Sequence, residues 1–188
     1  MISLVKGQNT QLDSGLSEVM VGLGWDPRVD DPSVPFDLDA CAFMLNSSKK
    51  VRSDADFVFY NQKESTCGSV KHQGDNLTGE GDGDDEQILV DLSKVPADVE
   101  HIEFTATIHK GDERRQNFGM VDNAFIRLVD LKTNEEIARF DLTEDACVDR
   151  SMLFGELYRR DGAWKFKAIG QRIAGDLGDV ARGFGVNV

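Results

Sequence analysis

Apolar and polar positions alternate along most of this chain with a period of two, in short runs. "SEVMVGLGW", "LDACAFML", "HIEFTATIH", "NAFIRLVDL" and "EEIARFDL" are rich in Val, Ile, Phe and Thr and are bounded by Gly, Asp, Asn or Pro. Such runs read as β-strands. The same pattern predicts strands over "ISLV", "DFVFY", "SVKH", "QILVDL", "SMLFGELYRR" and "WKFKAIG". Two connections carry turn chemistry. "KTNEE" reads as a hairpin loop, and Asp161-Gly162 in "RRDGAW" suits a type I′ turn. About ten short strands at this spacing predict an all-β sandwich. Helix is scarce: one turn in "DLSKVPADV" and a short C-terminal helix in "DLGDVARGFG". No repeat and no long linker interrupts the pattern, so residues 1–188 read as a single domain.

Charge narrows the function classes. The chain of 188 residues carries a net charge of −13. Nucleic acid rewards clustered Lys and Arg, and anionic membrane surfaces do the same, so neither is an expected partner. No apolar run approaches the ~20 residues of a transmembrane helix, and the opening "MISLVKGQNT" lacks the apolar core of a signal peptide. Cys41, Cys67 and Cys147 are an odd, scattered set without a C-x-x-C. They suit free thiols in a reducing compartment. The expectation is a cytoplasmic protein with no direct membrane insertion.

One stretch stands apart. "GDNLTGEGDGDDE", residues 74–86, holds six carboxylates and no basic residue, with four glycines threaded between them. Carboxylates this close repel by about 1 kcal/mol in water and several times that near a protein surface. Either the loop stays solvated, or a cation sits within it. Calcium takes six to eight oxygens from carboxylates, Asn side chains and backbone carbonyls, and this loop offers all three. An EF-hand is excluded, because Leu77 and Glu80 occupy positions that require an acid or amide and a glycine. Magnesium prefers fewer carboxylates, and zinc would want a Cys and His set. The loop also leads straight into the apolar "QILVDL", which pins it at the rim of the core.

A second acidic feature is "FDLDACAFML". Strand alternation sends Asp37 and Asp39 to one face, about 7 Å apart, followed on that face by apolar Cys41, Phe43 and Leu45. Carboxylates at the end of a buried face are costly unless paired or metal-bound. An exposed strand end is the alternative. Asp26, before Pro27, reads by itself as an ordinary turn residue.

The series "LVKGQN", "VGLGWD", "FDLDACAFML", "FVFYNQ", "GDNLTGEGDGDDE", "FGMVDNAFIRL" and "ARFDL" resembles the TerD family, named for bacterial tellurite resistance. The ordered set "GWD", "DLDA", "GDNLTG" and "GDDE" is what makes the resemblance specific. It implies two packed β-sheets and calcium, two ions, held at one end of the sandwich. The ligand positions it implies are Asp26, Asp37, Asp39, Asp75, Asn76, Glu80, Asp82, Asp84, Asp85 and Glu86, with carbonyls from Gly79 and Gly81. It further implies a role in tellurite resistance, phage inhibition and colicin resistance beside other Ter proteins, including a membrane partner. It implies a phenotype and no reaction.

Other residues carry less. Asp122 and Asn123 read as turn residues that could support an ion site. His72, His101 and His109 read as ordinary surface or satisfied histidines. Cys41 reads as core, Cys67 as a candidate exposed thiol, and "HKGDERRQN" as a basic surface loop. No nucleophile and base pair is identifiable, so the chain is read as a non-enzyme. Two function classes remain. One is a calcium-ordered module that docks partner proteins. The other is a calcium-dependent phosphoester hydrolase, or direct thiol-based detoxification of tellurite. Tellurite is an anion, and a strongly negative chain repels it at long range.

Overall fold

The computed structural model describes residues 1–26, 36–74, 83–141 and 148–188. Its described strands form two six-stranded sheets. In one, the order is β1 (Ile2–Ser3), β10 (Glu135–Asp141), β9 (Asp122–Asp130), β3 (Glu18–Asp26), β7 (Glu86–Asp91) and β6 (Val70–His72). In the other it is β2 (Asn9–Gln11), β12 (Ala163–Ile173), β11 (Ser151–Arg160), β8 (His101–Ile108), β4 (Leu38–Leu45) and β5 (Phe57–Val58). β1 runs parallel to β10, and the other pairings are antiparallel.

Inward alternation builds the core. Val19, Val21 and Leu23 of β3 and Ile126 and Leu128 of β9 join one buried cluster with Leu38, Ala40, Ala42 and Met44 of β4 and Ile102, Phe104, Ala106 and Ile108 of β8. β4 is buried at every position. Its other face, Cys41, Phe43 and Leu45, packs with Phe57 under Val180 and Ala181 of helix α2 (Leu177–Phe184). A strand covered on both faces needs apolar residues at every position, which accounts for the unbroken "ACAFML". α2 begins where predicted, on a capping box between Asp176 and Asp179.

The predicted hairpin turns are present. Asp161 and Gly162 have φ of 56° and 77°, the positive pair that a type I′ turn demands, and Asn134 in "KTNEE" has φ of 57°. Two expectations need correction. "DLSKVPADV" forms hydrogen-bonded turns, Lys94 N–H to Asp91 O and Val99 N–H to Pro96 O, and no helix. The basic "HKGDERRQN" holds a single helical turn, α1 (Gly111–Arg114). Strand β2 was not foreseen, because "NTQ" is polar throughout; β12 supplies its backbone partners.

A polar contact at Ala40 links the two sheets. β5 pairs only with Ala42 and Phe43, so the first half of β4 lacks that neighbour. Ala40 there turns its backbone polar groups toward the other sheet. Its N–H donates to the Glu86 carboxylate at the start of β7. Its carbonyl lies 3.1 Å from Nε2 of His72 on β6. Gly74 N–H donates to His72 Nδ1 at 3.3 Å, so the ring proton sits on Nε2 and is given to Ala40 O. Glu86 and His72 are both almost inaccessible to water. They satisfy a strand edge that would otherwise be buried with unpaired groups.

Removing one partner from this contact should cost more than an ordinary hydrogen bond. His72→Ala leaves the Ala40 carbonyl buried without its donor. The expected loss is about 1–3 kcal/mol in urea unfolding. His72→Gln, which keeps a donor of similar reach, should recover part of it.

Candidate functional site

Trp25, near the end of β3, draws three separate stretches of sequence together. Its backbone N–H donates to Asp85 Oδ2 at 2.9 Å. Its indole N–H donates to the carbonyl of Phe36 at 3.1 Å, just before β4. Asp85 N–H returns a bond to Leu23 O at 2.8 Å. Beside Trp25, Asp26 accepts from Asn123 Nδ2 at 2.5 Å. Asn123 is left-handed, with φ of 51°, a conformation that Asn tolerates. Asp122 and Asn123, expected in a turn, instead begin strand β9, and Asn123 supports Asp26 directly.

At the start of β4, Asp37 and Asp39 are buried, at 6% and 4% exposure, so the solvated strand end is not what forms. Asp37 O accepts the backbone N–H of His109 at 2.7 Å, and Asp39 Oδ2 lies 3.4 Å from His109 Nδ1. Glu86, through Ala40, connects this strand to the acidic loop.

Asp84 has a different setting. Both its oxygens are taken by Arg127 of β9, at 2.7 and 2.9 Å, and Arg127 continues to Glu136 at 3.2 Å. The Asp84 side chain is fully buried against Gly22, where an added Cβ would stand 2.3 Å from the carboxylate. A glycine inside a strand pattern signals such close approach, so "MVGLG" was a legible hint. The partner, Arg127, was not legible.

Neighbouring Asp85 accepts the Trp25 N–H. Burial pushes its carboxyl above the usual range, and the charges of Asp84 and Asp26 push the same way, against the bond from Trp25. Asp75, Asn76, Gly79, Glu80, Gly81 and Asp82 lie outside the described residues. Among the described residues, no three His, Cys, Asp or Glu side chains form a group able to hold a metal ion.

The two described thiols differ from each other, and Cys147 lies outside the described residues. Cys41 is buried in the core as expected, and burial, with Asp39 and Glu86 nearby, pushes its pKa well up. Cys67 is half-buried, with Ser69 Oγ at 3.0 Å and Ser65 Oγ at 3.5 Å. Burial opposes ionisation there, yet these hydroxyls leave the thiol below its ordinary value. A second buried acidic pair escaped the sequence reading. Glu103 and Glu156 face each other across β8 and β11, and Lys49 Nζ bridges them at 2.6 and 2.5 Å.

The TerD domain family matches residues 1–184. The chain belongs to that family. It is 54% identical over 189 residues to the tellurium resistance protein TerD of an Alcaligenes species, covering 99% of this chain and 98% of the relative. It is 50% identical over 190 residues to general stress protein 16U of Bacillus subtilis, covering 100% and 98%. The fold matches the crystal structure of a homologue of telluride resistance protein (TerD) from Streptomyces coelicolor, with a TM-score of 0.71 at 23% identity, over 89% of this chain and 96% of that one. Family membership and the two-sheet sandwich therefore stand as expected. Among the described residues of this TerD domain, no helix is long and apolar enough to cross a membrane.

The packing of Asp84 on Gly22 generates a double-mutant test. Gly22→Ala should destabilise the fold by about 1–3 kcal/mol, as overpacking does. In an Asp84→Ala background the same change should cost much less, because the atoms it strikes are gone. Additive losses in chemical denaturation would show that Gly22 matters for another reason.

Proposed function

We propose that this TerD domain is a cytoplasmic, calcium-ordered docking module of a bacterial tellurite and stress resistance system. The observation that carries this reading is convergence. Asp26, the pair Asp37 and Asp39, and Asp85 with Glu86 come from three distant stretches, and Trp25 and the Ala40 contact tie their backbones to one end of the sandwich. The donors are hard carboxylate oxygens, joined by the amide of Asn123. That set suits calcium, which accepts flexible oxygen geometry. In this reading Asp26, Asp37, Asp39, Asp85 and Glu86 hold the ions together with Asp75, Asn76, Glu80, Asp82 and the carbonyls of Gly79 and Gly81. Asp84, bound to Arg127, belongs to the scaffold in this reading.

Bound calcium would offset the like charges of Asp84 and Asp26 on Asp85 and order the acidic segment. The ordered rim would then recruit other Ter proteins, a membrane partner among them. Its relatives include tellurium resistance and general stress proteins, which supports the cellular role. No reaction is assigned to the domain. Cys67 favours one second reading, direct thiol chemistry on tellurite. Tellurite consumption by the pure protein that disappears in Cys67→Ser would establish that reading.

Calcium should raise the thermal midpoint over EDTA. Binding to the native state alone adds about 4 kcal/mol at a thousandfold excess over Kd. An unchanged midpoint would remove calcium from the account. Asp85→Asn sharpens the test. Without calcium its folded carboxylate is disfavoured relative to the unfolded chain, so the neutral variant should be more stable than wild type at pH 7 in EDTA. With calcium present the order should reverse, because a ligand is lost. Calorimetric titration should also show Asp37→Ala and Asp39→Ala weakening calcium as much as Asp75→Ala or Asp82→Ala do.

Docking has its own measurement. Glu80→Gln and Asp85→Asn should remain folded yet capture Ter partners less well in calcium and lower tellurite resistance. If resistance tracks folding alone across the variants, calcium is structural and the docking role fails.

A further inference from the structure

A cavity of about 300 Å³ opens on the outer face of the second sheet, between β8, the start of β4 and the first turn of α2. Its wall is aromatic and aliphatic: Phe57, Phe59, Tyr60 and Leu177. Phe57 and Phe59 stack with ring centroids 4.3 Å apart, and Tyr60 stands edge-on to Phe59 at 5.2 Å. Phe59 and Tyr60 are only half-buried, so they offer ring surface at the mouth. The polar end is Asp39, which is 4% exposed, beside His109. Mostly apolar walls around a few converging polar groups are the ordinary composition of a small-molecule site.

The sign of charge narrows the ligand. The start of α2 carries negative charge here: Asp176 Oδ1 accepts the Asp179 N–H, and Asp179 Oδ2 accepts the Asp176 N–H. Asp176 lines the cavity with Asp39, while the basic side chain Lys110 is exposed at the rim. Aromatic faces with a buried carboxylate favour a cation over an anion of the same shape. The chain's net charge of −13 concentrates cations near it. A carboxylate pairs best with a planar donor fork.

We propose that this cavity binds a small planar organic cation of the amidinium or guanidinium type, its charged group on Asp39 and its body against Phe59 and Tyr60. The site differs from the acidic rim, although Asp39 belongs to both. Calcium held by Asp39 would therefore compete with the ligand.

Benzamidine is the probe, and benzoate is the control of similar shape and opposite charge. Both are titrated into the full chain, in EDTA and in calcium, while backbone amide shifts are followed by NMR. Benzamidine should shift residues 107–110 and 176–181, and bind at least tenfold more tightly than benzoate. Tyr60→Ala, at the mouth and away from the core, should weaken it severalfold. Asp39→Asn should weaken it at least tenfold. Ala181→Leu, which fills the cavity from α2, should abolish binding. Binding in EDTA alone suffices for the proposal and is independent of whether calcium binds. No benzamidine binding in either buffer, equal binding of benzoate, or shifts confined to other residues would overturn it.

Discussion

Two sheets can be held face to face by apolar packing alone, but an edge that ends between them cannot be left bare. Here that edge is the first half of β4, and its solution is Ala40 held between Glu86 and His72. A buried carboxylate is expensive, and it is tolerated because it accepts a backbone N–H that has no strand neighbour. The consequence reaches beyond stability. Glu86 ends the acidic loop and Ala40 follows Asp39, so the contact fixes where the two acidic stretches stand relative to each other. Trp25 does the same from β3, with one N–H on Asp85 and the other on Phe36.

The surplus of negative charge is handled unevenly, and the unevenness is informative. Asp84 receives a bidentate arginine and sinks onto Gly22. Glu103 and Glu156 share Lys49. Asp85 receives the Trp25 N–H and has Asp84 and Asp26 nearby. Arg127 and Lys49 mark Asp84, Glu103 and Glu156 as acids that hold the scaffold. The calcium reading rests on the convergence of the acidic stretches and on the family resemblance.

The strand and turn pattern was legible because it is local. Period-two alternation, a positive-φ Asp-Gly and a capping box around Asp176 are each written within a few residues. Even Gly22 advertised a close approach. β2 was invisible because its stability comes from the backbone of β12 and not from "NTQ". The helical turn expected in "DLSKVPADV" is replaced by two separate turns, closed by Asp91 O on Lys94 N–H and by Pro96 O on Val99 N–H.

The sequence by itself determined a β-sandwich, an acidic rim and membership in the TerD family, since each depends on residue order within short windows. Tertiary structure decided what each carboxylate does. Asp84 and Asp85 are adjacent and chemically identical, yet one meets Arg127, 43 residues away, and the other meets Trp25, 60 residues away. Strand alternation can say that neighbours point to opposite sides. Only the packing of distant strands determines whether a cation, an N–H or another acid waits there.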